Sequence, residues 1–188
     1  DWLDEDNMPY DSDGAEEDWY LRLKPAYRAA NRYFVSTSEL TLLRGYSPDI
    51  VAKLQPYVVA LPVFTPININ TASANVMAAL ADNLTLAQAK DMIDNRPADG
   101  YGAVDSFMQL PAFTGLSAEE RASLSKQLAV SSRFFRVAAI AEIDNRQRVL
   151  TAVIARDDSA TLHTISRDWS QQWQTPVINN TTSTKAKP

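Results

Sequence analysis

Residues 1–20, DWLDEDNMPYDSDGAEEDWY, carry nine carboxylates (Asp1, Asp4, Glu5, Asp6, Asp11, Asp13, Glu16, Glu17 and Asp18) and no lysine or arginine. A run of like charge this dense repels itself and ordinarily stays unfolded. Yet Trp2, Leu3, Met8, Tyr10, Trp19 and Tyr20 are interleaved with the acids, so something has to neutralise the charge before those rings can pack. Calcium selects hard carboxylate and carbonyl oxygens, roughly six to eight of them, on a loop that can wrap around it. Asp4, Asp6, Asp11, Asp13 and Glu16 offer such oxygens within thirteen residues, and Gly14 lets the backbone turn. The spacing is not that of an EF-hand: with Gly14 in the sixth position, Pro9 and Tyr20 fall at the first and twelfth. Magnesium suits the loop less, because it keeps its water and takes fewer protein ligands. Spacing alone leaves a calcium loop and a solvated acidic surface both open.

Other chemistries fare worse. A general acid and base pair needs two carboxyls held across a cleft in different environments, which one crowded loop does not provide. The chain has no cysteine, which removes disulfides, thiolate metal sites and thiol nucleophiles. Its single histidine, His163, rules out a multi-histidine metal site. His163 lies near Ser166 and Asp168, but no nucleophile elbow or glycine-rich oxyanion loop accompanies them. It reads as a surface or packing residue, and the chain as a non-enzyme.

The stretch TPININTASANVMAAL, residues 65–80, looks like the start of a helix-hairpin-helix, a motif that grips phosphates through a glycine-rich hairpin. Here the hairpin, ADNLTLAQ at 81–88, holds no glycine. Lys90 and Arg96 face Asp82, Asp91, Asp94 and Asp99 between residues 66 and 100, a local net charge of −2 within a chain of net charge −5. Phosphate affinity comes mostly from lysine and arginine, so a capped packing helix is the better reading and no nucleic-acid partner is expected.

The elements that must position these residues follow from periodicity. Ser36 and Glu39 form a capping box, Gly45 sits where a left-handed cap is favoured, and Ser47-Pro48 starts a second helix with Ile50, Val51 and Leu54 on one face. Asn70 is a candidate N-cap for a helix whose apolar face is Val76, Met77 and Leu80, and Thr85 starts the next. Ser117 and Glu120 form another capping box before RASLSKQL. Three helix–turn–helix units are thus predicted over 36–61, 70–96 and 104–129, joined through Pro62, Pro66 and Pro97. From residue 131 the period drops to two, and 134–143, 148–156 and 161–169 read as strands of an antiparallel meander. The fold class is α+β. The divisions are an acidic loop and start of the helical domain over 1–35, a helical domain over 36–130, strands over 131–172 and a mobile polar tail over 173–188. Three strands make a thin sheet, whose covering helix is expected upstream of Asp1.

The order DWLDED (1–6), DGAE (13–16), YRAANR (27–32), SELTLLRG (38–45) and TPININTAS (65–73), with a strand-rich end, resembles the K-type minor pseudopilins of bacterial type II secretion systems. Ala26 departs from the second proline common there. The resemblance implies a helical block, similar to sterile-alpha-motif (SAM) domains, inserted into a pilin fold whose N-terminal pilin helix is absent here. It implies Ca²⁺ in the acidic loop, with Asp1, Asp4, Glu5, Asp6, Asp13 and Glu16 at matching positions, foremost Asp4, Asp6, Asp13 and Glu16. Asp11 rests on its chemistry alone. It also implies a place at the pseudopilus tip with I-type and J-type minor pseudopilins, secreted substrates or the outer-membrane secretin as further contacts, and a periplasmic location anchored in the inner membrane. A competence-like helix-hairpin-helix DNA-binding protein is the alternative.

Overall fold

The computed structural model describes residues 1–144 and 146–169; the tail over 173–188 and the last residues of the 131–172 strand segment lie outside them. The chain forms two compact units, Asp1–Thr65 and Pro66–Pro188. The division falls inside the segment 36–130 rather than at residue 35. Its cause is the uncharged, proline-bearing stretch before Pro66, where Val59, Val63 and Phe64 are each more than half exposed and build no core.

The first unit is organised by aromatic rings rather than by long helices. Its one-turn helix α1, Glu17–Tyr20, delivers Tyr20 to Trp2, with ring centroids 5.0 Å apart in a T-shaped arrangement. Tyr27 completes the cluster, 5.5 Å from Tyr20, and donates its hydroxyl proton to the carbonyl of Leu42 at 2.7 Å. Edge-to-face pairs of this kind contribute about 0.5–1.5 kcal/mol beyond their buried area. The Ser36–Glu39 capping box forms, but the turn it starts, Thr37–Leu42, is a 3-10 helix. Gly45 follows at φ 85°, and Ser47 caps α2, Pro48–Leu54, with proline at its first turn. Val51 is the buried member of the apolar face expected there, while Ile50 is exposed.

The second unit begins with a helical block. A strand β1, Ile67–Asn68, opens it, followed by helices α3, Ala74–Ala78, α4, Leu86–Asp94, α5, Val104–Met108, and α6, Ala118–Lys126. The block closes with strand β2, Leu128–Ala129, which pairs in parallel with β1 so that Ile67 lies opposite Leu128. Phe107, Phe113, Ile69 and Met77 form the centre of its core and are fully buried. Ser73, not Asn70, caps α3. Asn70 instead ties the two ends of the block together: its Oδ1 accepts from the backbone N–H of Tyr101 at 2.7 Å, and its Nδ2 donates to the carbonyls of Tyr101 and Val130, both at 3.0 Å. Gly100 makes this approach possible, since a Cβ there would lie 2.8 Å from Asn70 Cγ and φ is +76°. Arg121 on α6 donates to the carbonyls of Met108, Phe113 and Leu116, at and beyond the ends of α5 and the following 3-10 turn.

The predicted meander follows. Strands β3, Phe134–Ile143, β4, Arg146–Arg156, and β5, Leu162–Asp168, form an antiparallel sheet in the order β3-β4-β5. A register shift in the β4–β5 pair falls between Val153 and Ile154. Ile143 pairs with Arg146 across a two-residue connection in which Asp144 has φ 52°, the left-handed geometry tight hairpins demand. Apolar residues stand on both faces, yet among the described residues of these strands only Thr151 is buried.

Candidate functional site

The acidic loop winds around Asp1. One carboxylate oxygen of Asp1 accepts from the backbone N–H of Tyr10 at 2.8 Å, and the other from that of Ala15. The loop closes so tightly that a Cβ on Gly14 would fall 2.3 Å from Asp1 Oδ2 and 2.6 Å from the Tyr10 nitrogen. Glycine at position 14 is therefore a packing requirement as well as a turn preference. Asp4 Oδ2 lies 3.0 Å from the Asp1 nitrogen. Asp6 and Asp11 accept from the backbone N–H groups of Met8 at 2.8 Å and Ser12 at 2.7 Å, Asp11 itself standing at φ 61°. Glu5 and Asp13 are exposed.

Glu16 differs from all of these. It is 6% exposed, beside Ala15 and one residue before α1, and its Oε1 has no hydrogen-bond partner among the described residues. The indole N–H of Trp2, in the cluster beneath, is likewise buried without a partner. A buried carboxylate oxygen left alone costs about 1–3 kcal/mol or more, so a native fold carries one only where something else meets it. Among the described residues no three carboxylate or imidazole groups are gathered into a metal cage. The donor set nevertheless fits Ca²⁺ by chemistry: hard oxygens on a glycine-hinged loop, with one buried oxygen to spare.

Arg44, which sequence reasoning passed over, shapes the loop together with Tyr20. Arg44 donates to the Gly14 carbonyl at 3.0 Å and places its guanidinium 5.7 Å from the centre of the Trp19 ring. Tyr20, buried below, has its hydroxyl pushed above the ordinary tyrosine value by burial, a backbone hydrogen bond from Arg44 working the other way. The only signal for Arg44 was a lone cation between Leu43 and Gly45, which no short-range pattern connects to residue 14.

The remaining candidates are engaged in local structural contacts. His163 meets Asp157, Nε2 to Oδ2 at 2.9 Å, while Asp157 Oδ1 accepts from Ser159 and Thr161 in the β4–β5 turn. Hydrogen bonds from the Ser159 hydroxyl, then His163, then the Thr161 backbone hold this carboxyl well below the usual range. The arrangement is a stiffened turn, with Asp157 bonded to the ring. At the hairpin 81–88, Thr85 and Gln88 close a capping box on each other, so the N–H groups of these two residues are met within the chain instead of by an anion.

Two profiles described as "Type II secretion system (T2SS), protein K" match residues 1–63 and 67–131, and so follow the division into units. The protein K of Pseudomonas aeruginosa is 37% identical over 175 residues, 91% of this chain and 49% of that protein. That of Pectobacterium carotovorum is 36% identical over 159 residues, 80% of this chain and 47% of the relative. The chain thus spans about half the length of the curated relatives it matches. The fold is also that of a solved structure, the crystal structure of the GspK-GspI-GspJ complex from the enterotoxigenic Escherichia coli type 2 secretion system. The TM-score is 0.77 at 23% identity, over 91% of this chain and 60% of that one. These features define an α+β component of a bacterial secretion system. The chain belongs to the type II secretion system protein K family.

Proposed function

We propose that this chain is part of a K-type minor pseudopilin that stands at the tip of the type II secretion pseudopilus. There it starts assembly with I-type and J-type minor pseudopilins for the export of folded proteins across the outer membrane. One observation carries the reading: family membership across both units, joined to a helical block that closes on itself between Ile67 and Ala129 and runs directly into antiparallel strands. A block of that bulk would clash between the packed subunits of a helical filament and is tolerated at its end. The related structure is of a complex of K, I and J proteins, and the same partners are proposed here. Among the described residues no helix is long and apolar enough to cross a membrane. On this reading a pilin helix outside the chain anchors it in the inner membrane and covers the face of the sheet that carries the half-exposed Phe135 and Val137. Co-expression with the I-type and J-type proteins should yield a complex that co-purifies. Failure to associate in any pairing rejects the assignment.

We propose also that the acidic loop holds Ca²⁺. Glu16, Asp4, Asp6 and Asp13 are its protein ligands, and Asp1, Glu5 and Asp11 are further oxygens within reach of the same loop. The ion supplies positive charge to the carboxylates and a partner for the orphaned Glu16 oxygen. Melting with calcium should exceed melting in chelator by several degrees, as mass action on the folded state requires. Coincident curves reject calcium and leave the structural assignment standing.

A further inference from the structure

We infer that Arg44 is a positioning residue for the calcium loop, holding the Gly14 carbonyl on one side of Glu16 and the Trp19 ring on the other; the inference rests on the calcium reading above. The other arginines of the first unit's described ion pairs are spent on carboxylates: Arg22 on Asp18, Arg28 on Glu17 and Arg32 on Glu39. Arg44 is spent on neutral groups. Its guanidinium takes the Gly14 carbonyl, two residues before Glu16, and lies over the ring of Trp19, three residues after it. Its own place is fixed by the tight turn that follows the 3-10 helix. There the N–H of Tyr46 donates to the Leu43 carbonyl at 3.2 Å, and Gly45 adopts φ 85°.

A side chain that contacts a carbonyl thirty residues away in sequence and a ring twenty-five away holds geometry more than it balances charge. Glu16 is the one loop carboxylate that is buried, so the segment 14–19 must be held for its orphaned oxygen to meet an ion without rearrangement. Ordering that segment beforehand lowers the entropy lost on binding. Arg44 is exposed to water, which keeps the effect modest.

Calcium alone is titrated into the whole chain and into the variants Arg44→Met and Arg44→Lys, by calorimetry, with melting recorded in calcium and in chelator. Arg44→Met is expected to bind calcium about fivefold more weakly and to show a smaller calcium-induced rise in Tm. Arg44→Lys, which still reaches a carbonyl, should recover more than half of the lost affinity. An Arg44→Met chain that binds as tightly as the unaltered one, or more tightly, overturns the clamp. So does a fall in Tm of equal size with and without calcium, the mark of a purely structural residue. An unaltered chain that binds no calcium removes the underlying reading, and the clamp with it.

Discussion

Gly14 shows how little slack the acidic loop has. A methyl group there would press on Asp1 Oδ2 and on the backbone of Tyr10, and backbone does not move aside as a flexible side chain does. Gly14→Ala is expected to destabilise the first unit by about 1–3 kcal/mol, the usual cost of overpacking, read from chemical denaturation followed at Trp2 and Trp19. At Asp157 the folded carboxyl titrates below its ordinary value of 3.8, because Ser159, His163 and Thr161 bond the ionised form. A depressed folded value stabilises the fold above the ordinary carboxylate range, and that contribution is lost as pH falls toward the folded value. A carboxyl-carbon titration should find Asp157 still ionised at about pH 3, below that ordinary value. Protonation in step with a free aspartate would remove the account. The loop's composition was legible in the sequence, because nine acids and six large apolar residues in twenty positions stand out without any fold. Glu16's burial was not, since its neighbours Glu17 and Asp18 are of the same chemistry, and only α1 decides which of the three turns inward.

At the scale of elements, capping does most of the local work. The described helices of the second unit are short, nine residues at most, so propensity alone cannot hold them. Ser117→Ala removes the hydroxyl that accepts from the Glu120 N–H at 3.2 Å and leaves only the return bond, from the backbone N–H of residue 117 to the Glu120 carboxylate at 2.7 Å. It is expected to cost about 1 kcal/mol of stability in denaturant; no change would mean that α6 is held by packing alone. The capping boxes at Ser36 and Ser117, the helix start at Thr85 and the three long strands were all readable, being patterns within a few residues. Ser36–Glu39 marks the start of a turn without fixing whether its bonds run to the third or fourth residue, so the 3-10 form of Thr37–Leu42 was beyond it. Asn70 had the right chemistry for a cap, but its partners lie 31 and 60 residues away, at Tyr101 and Val130. No window of local sequence contains them.

For the whole molecule the two units make different demands. The core of the helical block, from Ile69 to Leu128, is built entirely from residues of that block. A fragment of residues 66–130 is therefore expected to fold alone and to melt cooperatively, at a temperature indifferent to calcium or chelator, with circular dichroism as the measurement. A fragment that stays unstructured would show that the block depends on what surrounds it. The contrast with the first unit, where the acids and the orphaned Glu16 oxygen lie, should separate a calcium-sensitive transition from an insensitive one.

The parallel contact of Ile67 with Leu128 has a further result. Because the chain departs and comes home at one spot, the excursion between can be lengthened, trimmed or exchanged without rerouting the strands that follow. Insertions and deletions among relatives should gather between residues 70 and 127, leaving β3 to β5 in step.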